Sequence, residues 1–74
     1  MHVVYHQPGC FPCTATMNKF EKEGIPVRPI DITTNPGAVD VIRGLGYSGT
    51  PVVVTEAGEH WYGYKPDHIL ALKG

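Results

Sequence analysis

Residues 2–20 read HVVYHQPGCFPCTATMNKF, and this stretch decides how the chain folds. His2 to His6 is β-branched and aromatic and stops at the turn signal Gln7-Pro8-Gly9, which predicts a short strand. Beyond the turn, Cys13, Met17 and Phe20 recur at i, i+4 and i+7, while Asn18, Lys19, Lys22 and Glu23 fall on the other side. That spacing predicts a helix, with Gly24 as the residue that ends it. Cys10 then stands at or beside the amino end of the helix, and Cys13 lies one turn inside it.

Working outward, Ile25 to Ile32 carries Val27, Ile30 and Ile32 among polar residues, which predicts a second strand. Pro26 and Pro29 restrict it to pairing on one side. Asn35-Pro36 reads as an N-cap followed by proline at the first helical position. Val39, Ile42 and Leu45 then form an apolar stripe, with Asp40 early, Arg43 late, and Gly44 and Gly46 at the end. Thr50-Pro51 opens the strand Val52-Val53-Val54-Thr55, and a turn at Glu56 to Glu59 returns the chain into His60-Trp61-Tyr62 as a hairpin. Pro66-Asp67 starts a last helix whose predicted apolar face is Ile69, Leu70 and Leu72.

The order is βαβ-α-ββ-α. A βαβ unit demands parallel strands and the short turn at Gly58 an antiparallel pair, so the predicted class is α/β with a four-stranded mixed β-sheet and helices on both faces. A chain of 74 residues has room for one core, so residues 1–74 are expected to form a single domain. A Cys-x-x-Cys motif at the first βα junction of such a unit is the sign of a thioredoxin-like redox domain.

Six Lys and Arg stand against seven Asp and Glu, and no two basic residues are adjacent, which argues against electrostatic capture of nucleic acid. The start, MHVVYH, lacks a cationic region and the run of about 7–15 apolar residues of a secretory signal, and the longest aliphatic run is Val52 to Val54. The expectation is a cytoplasmic protein without a membrane segment. In a reducing compartment a close cysteine pair is more often catalytic or metal-binding than structural.

A bridge between Cys10 and Cys13 closes so short a loop that chain entropy gives only about 2 kcal/mol, a poor reason for two cysteines in a small domain. Their placement suggests chemistry instead. Unpaired N–H groups and the positive end of the helix dipole favour a thiolate at Cys10. Lowering a thiol from its free value of about 8.5 to about 7 raises the thiolate fraction at pH 7 from roughly 3% to roughly 50%. Cys10 is therefore the expected nucleophile and Cys13, on the buried face with Met17 and Phe20, the resolving thiol. Pro12 fits a first helical turn that needs no N–H there, and Phe11 offers an apolar rim to a protein partner. Two other readings remain open. The cysteines could be buried structural thiols, or His2, His6, Cys10 and Cys13 could be zinc or iron–sulfur ligands, although His2 and His6 on one strand would lie some 13 Å apart. His60 and His68 read as surface histidines.

Three segments together resemble a known family. They are Cys10-Phe11-Pro12-Cys13-Thr14-Ala15-Thr16 after the first strand, Leu45-Gly46-Tyr47 through Thr50-Pro51-Val52-Val53, and Trp61-Tyr62-Gly63-Tyr64-Lys65-Pro66-Asp67. The chain resembles, over nearly its whole length, the glutaredoxin-like NrdH redoxins of the thioredoxin superfamily. The resemblance implies a thioredoxin-like fold of four strands flanked by three helices. It implies a monomeric electron donor to ribonucleotide reductase, with no bound cofactor beyond a redox-active Cys10–Cys13 disulfide. NADPH would be used indirectly, through thioredoxin reductase. It also implies a cis Pro51 facing the disulfide, with the Thr50 backbone free to pair with a bound peptide. From position alone, the better reading of Pro51 is a proline that merely opens a strand.

In the family, the third segment is a hydrogen-bonded loop near the active site with the form Trp-Ser-Gly-Phe-Arg-Pro-Asp. That implies such a role for Trp61, Gly63, Lys65, Pro66 and Asp67, whereas the residues alone suggest a hydrophobic lid and a helix start. Tyr62, Tyr64 and Lys65 depart from the pattern, and Lys65 keeps the charge without the guanidinium fork. A glutathione-dependent glutaredoxin is the alternative. It would need Lys or Arg around the cysteines and a Gly-Gly-Asp-like turn after the last strand. No basic residue precedes Cys10 and the first after Cys13 is Lys19, but Arg28 or Arg43 could fold back toward the site.

Overall fold

The first strand, β1 (His2–His6), lies inside a four-stranded sheet, paired on one side with β2 (Val27–Asp31) and on the other with β3 (Val52–Val54). β4 (His60–Tyr62) completes the order β2-β1-β3-β4. The helices are α1 (Phe11–Lys22), α2 (Ala38–Gly44) and α3 (Pro66–Leu70), and the computed structural model describes all residues from Met1 to Gly74. The β1–β2 pairing is parallel and the β1–β3 and β3–β4 pairings are antiparallel, so the sheet is mixed as the connections require. β2 is an edge strand, which is where Pro29 can sit without removing a ladder hydrogen bond.

Register assigns the faces. Val4 lies opposite Val53, and Val53 opposite Trp61, so these three line one face. Phe20 of α1 and Ile69 of α3 pack on them to form the core, with Met17, Ile25, Val27 and Leu72 at its margin. α2 takes the other face, where Ala38 and Val41 meet Tyr5 and Ile30 around an open cleft, and its inner residues Ala38 and Ile42 are buried.

The end of α1 is fixed by its sequence. Gly24 has φ +70°, its N–H reaches the carbonyl of Glu21 at 3.0 Å, and the N–H of Ile25 reaches that of Phe20 at 2.9 Å. This is the paired bonding of a Schellman ending, with Ile25 and Phe20 in the same apolar cluster. At the residue just before Gly24, the Glu23 carboxylate is clasped by Lys19, one turn earlier, at 2.9 Å and by Lys73, near the end of the chain, at 3.0 Å.

Two expectations need correction. α2 does not begin at Asn35-Pro36. Those residues form a turn with Gly37 and Ala38, closed by the Ala38 N–H on the Asn35 carbonyl at 3.1 Å, and the helix starts only after Gly37 at φ +87°. Proline second and a positive-φ glycine third are the requirements of a type II turn, which satisfies the chain here before a helix can. The Asn35 amide is drawn back to the Asp31 carbonyl at 2.8 Å instead of capping the helix. In α3, Leu70 is 43% exposed and lies outside the buried face, which passes through Ile69 and then Leu72 beyond the helix. A five-residue helix has room for only one inward apolar position.

Hydrogen bonds from Lys19 and then Lys73 hold Glu23 at a pKa of about 2, down from an ordinary 4.5. A depressed carboxylate contributes stability above its unfolded value and loses it as pH falls toward its folded one. Thermal stability should therefore decline between about pH 5 and pH 2 more steeply in the wild type than in Glu23→Gln, with the difference shrinking in high salt. Parallel declines for the two proteins would contradict the clasp.

Candidate active site

The site forms where β1 hands over to α1. Gly9, at φ +75°, turns the chain so that Cys10 becomes the N-cap of α1 in an extended conformation, with φ −103° and ψ 101°. Its sulfur takes the place of the usual cap oxygen and accepts the Cys13 N–H at 3.2 Å. Its carbonyl receives the Thr14 N–H at 3.1 Å, the first bond of the helical ladder. Pro12 occupies the first turn. The buried Thr16 hydroxyl donates to the Pro12 carbonyl at 2.7 Å, which keeps a polar group satisfied beneath the site. No acidic residue stands in the first turn of α1 and both terminal lysines lie at its far end, so the positive helix end is not offset by a local anion.

Cys10 and Cys13 are joined in a disulfide, with their Cα atoms 5.2 Å apart. The two sulfurs are unequal in environment. Cys13 is 3% exposed on the helix face shared with Phe20, whereas Cys10 is partly accessible. Phe11 between them is 89% exposed.

The second wall is the segment before β3. The Thr50–Pro51 peptide is cis. The Thr50 carbonyl and hydroxyl each lie 3.7 Å from the Cys10 sulfur. Neither the N–H nor the carbonyl of Thr50 is bonded to another backbone group. The Thr50 hydroxyl also accepts the Gln7 Nε2 amide at 2.9 Å.

The third predicted segment is tied to this wall by one backbone bond, from the Gly63 N–H to the Pro51 carbonyl at 2.8 Å. Trp61 is buried edge-on against His68, with ring centroids 5.1 Å apart and its Nε1 unpartnered. Lys65 caps α3 only through its carbonyl, which receives the N–H groups of His68 and Ile69, and Pro66 and Asp67 form the first turn. The side chains of Lys65 and Asp67 make no hydrogen bond within the chain, so the wider loop network implied by the resemblance contracts to the Gly63–Pro51 bond. An exposed ammonium on a flexible stem lacks the planar fork that would anchor such a network.

The proposed metal ligands do not converge, and no group of three or more His, Cys, Asp or Glu is placed to hold an ion. His2 Nδ1 accepts the Glu56 N–H at 3.1 Å, toward the opposite end of β1 from the cysteines. His60 and His68 are exposed, and His60 bonds the Tyr47 hydroxyl at 2.8 Å. No helix is long and apolar enough to cross a membrane. Sequence reasoning missed Gln7. It lies in a turn and has no motif of its own, and its bond to Thr50 spans 43 positions of chain.

Residues 3–61 match the family model Glutaredoxin. The chain belongs to the glutaredoxin family. Within it the chain is of the NrdH type: it is 33% identical over 70 residues to the glutaredoxin-like protein NrdH of Salmonella typhimurium, covering 93% of this chain and 84% of that one. The gene 56 protein of Mycobacterium phage L5 is 39% identical over 70 residues, covering 93% of this chain and 68% of its own. The structure of the NrdH-redoxin of Escherichia coli, a glutaredoxin-like protein with a thioredoxin-like activity profile, superposes with a TM-score of 0.92 at 29% identity, covering 99% of this chain and 95% of that one. The fold is therefore thioredoxin-like, and this redoxin is a thiol–disulfide oxidoreductase with Cys10 and Cys13 as its redox-active pair.

Phe11 supports no packing within the chain, so Phe11→Ser should change stability by no more than about 0.5 kcal/mol. It should slow reduction of a protein disulfide such as insulin several-fold while leaving a small aromatic disulfide unaffected. Equal slowing of both substrates would show that Phe11 is not a docking rim.

Proposed function

We propose that this redoxin reduces protein disulfides with Cys10 as the attacking sulfur and Cys13 as the resolving one. The observation that carries this is the asymmetry of the pair: Cys10 is partly accessible and receives the Cys13 N–H at the helix end, while Cys13 is 3% exposed. The Cys10 thiolate attacks one sulfur of the substrate disulfide, forming a mixed disulfide and expelling the other sulfur as a thiolate. Cys13, losing its proton, then attacks the Cys10 sulfur. The second substrate thiolate leaves, and two electrons have passed to the substrate as Cys10–Cys13 becomes oxidised. An extended substrate peptide would pair with the N–H and carbonyl of Thr50, which no other backbone group engages, beside cis-Pro51 and the Phe11 rim.

The same reading assigns recharging to thioredoxin reductase, with NADPH as the ultimate donor, and delivery to ribonucleotide reductase, by a monomeric, single-domain cytoplasmic protein. The NrdH relatives and the thioredoxin-like activity profile of the Escherichia coli protein support it. So does the disposition of basic residues, because glutathione needs cations for its carboxylates. Lys19 is engaged by Glu23, and Arg28 sits opposite Val3, near the end of β1 remote from Cys10.

NADPH oxidation coupled to insulin reduction should proceed with thioredoxin reductase and be at least tenfold slower with glutathione and glutathione reductase. Turnover with the glutathione system alone would instead establish a glutathione-dependent glutaredoxin. Cys13→Ser should accumulate a mixed disulfide at Cys10, and accumulation in Cys10→Ser would reverse the two roles.

A further inference from the structure

Thr50 offers the Cys10 sulfur two opposed contacts, one from its backbone and one from its side chain. Its carbonyl, at 3.7 Å, can only accept, and so favours the thiol form, which has a proton to give. Its hydroxyl, also at 3.7 Å and within reach of so large an acceptor as sulfur, can donate and so favours the thiolate. A hydroxyl has one proton and two lone pairs, and it rotates to suit its neighbours. What fixes its rotation therefore decides which contact prevails.

We propose that Gln7 is a positioning residue for Cys10: its Nε2 amide, 2.9 Å from Thr50 Oγ1, fills a lone pair of that hydroxyl and turns the proton toward the Cys10 sulfur. An amide N–H has nothing to accept with, so a hydroxyl receiving it must send its own proton elsewhere, and the sulfur is the partner at hand. Thr50 is 6% exposed, so water has little access to compete for that proton. The bonds form a directed chain of two donors ending on the sulfur, adding to the Cys13 N–H that reaches it from the helix. Of the titratable groups on the elements that meet here, Cys13 in the first turn of α1 and His6 at the end of β1, with Asp31 opposite His6 on β2, stand next to the junction, whereas His2 and Tyr5 of β1 and Lys19, Glu21 and Lys22 of α1 lie farther along their elements. The Thr50–Pro51 segment brings none.

This inference rests on Cys10 being the attacking sulfur, and the experiment separates the two claims. In the Cys13→Ser background, where Cys10 alone titrates as a thiol, the pH dependence of iodoacetamide alkylation is followed by mass spectrometry. The parent should show its inflection well below the free-cysteine value of about 8.5. Gln7→Met, of similar size but without a donor, should raise that inflection by about 0.5 unit, roughly a threefold loss of thiolate on the acid limb. Thr50→Val should raise it by a similar amount and Thr50→Ser should restore it. Gln7→Met should add nothing in the Thr50→Val background. A parent inflection at 8.5 or above would overturn the assignment of Cys10 itself. A low parent inflection that Gln7→Met leaves unchanged, or a Gln7→Met effect undiminished by Thr50→Val, would overturn the relay.

Discussion

One hydrogen bond organises this molecule: the Cys13 N–H to the Cys10 sulfur across the first turn of α1. It caps the helix with a residue that can carry charge, at the point where the helix dipole is most positive and no carboxylate opposes it. The same turn places Cys13 three residues on, against the core, so that one short segment makes the sulfurs neighbours and gives them unlike surroundings. Much of the remaining structure holds that turn in place. β1 enters it from inside the sheet, α1 leaves it packed through Phe20, and the cis-Pro51 segment closes it from the third strand.

The supports are short-range and economical. β3, β4 and α3 have only three, three and five residues, and each earns its position through one or two contacts: Val53 and Trp61 to the shared core, Ile69 against Phe20, and Gly63 to Pro51. In so small a domain the main hydrophobic cluster lies on one face of the sheet, and on the other α2 buries Ala38 and Ile42 but leaves an open cleft beside Tyr5 and Ile30. The Schellman ending at Gly24 and the clasp of Glu23 by Lys19 and Lys73 then join the far end of α1 to the chain terminus.

Features with a local cause could be read from the residues in order. β1, α1 and its Gly24 ending, the edge position of β2 and the β3–β4 hairpin followed from periodicity, proline chemistry and turn residues. The placement of Cys10 and Cys13 followed for the same reason, since a helix start and its first turn are set within a few residues. Asn35-Pro36-Gly37 misled because proline serves a helix start and a type II turn equally well, and only the glycine after it tips the balance. Leu70 misled because a helix of five residues is too short for its periodicity to be expressed. The approach of Thr50 to the Cys10 sulfur and the bond from Gln7 to Thr50 depend on pairings across 40 and 43 positions, so the residues around each carry no local sign of them.

The central claim is that the fold makes Cys10 the reactive sulfur and shelters Cys13. Reducing the protein and treating it briefly with a limiting alkylating reagent at pH 7, then locating the label by peptide mass spectrometry, tests this directly. The account predicts a single adduct at Cys10, formed faster than on free cysteine, with Cys13 labelled only after unfolding. Equal labelling of the two residues, or labelling of Cys13 first, would contradict it.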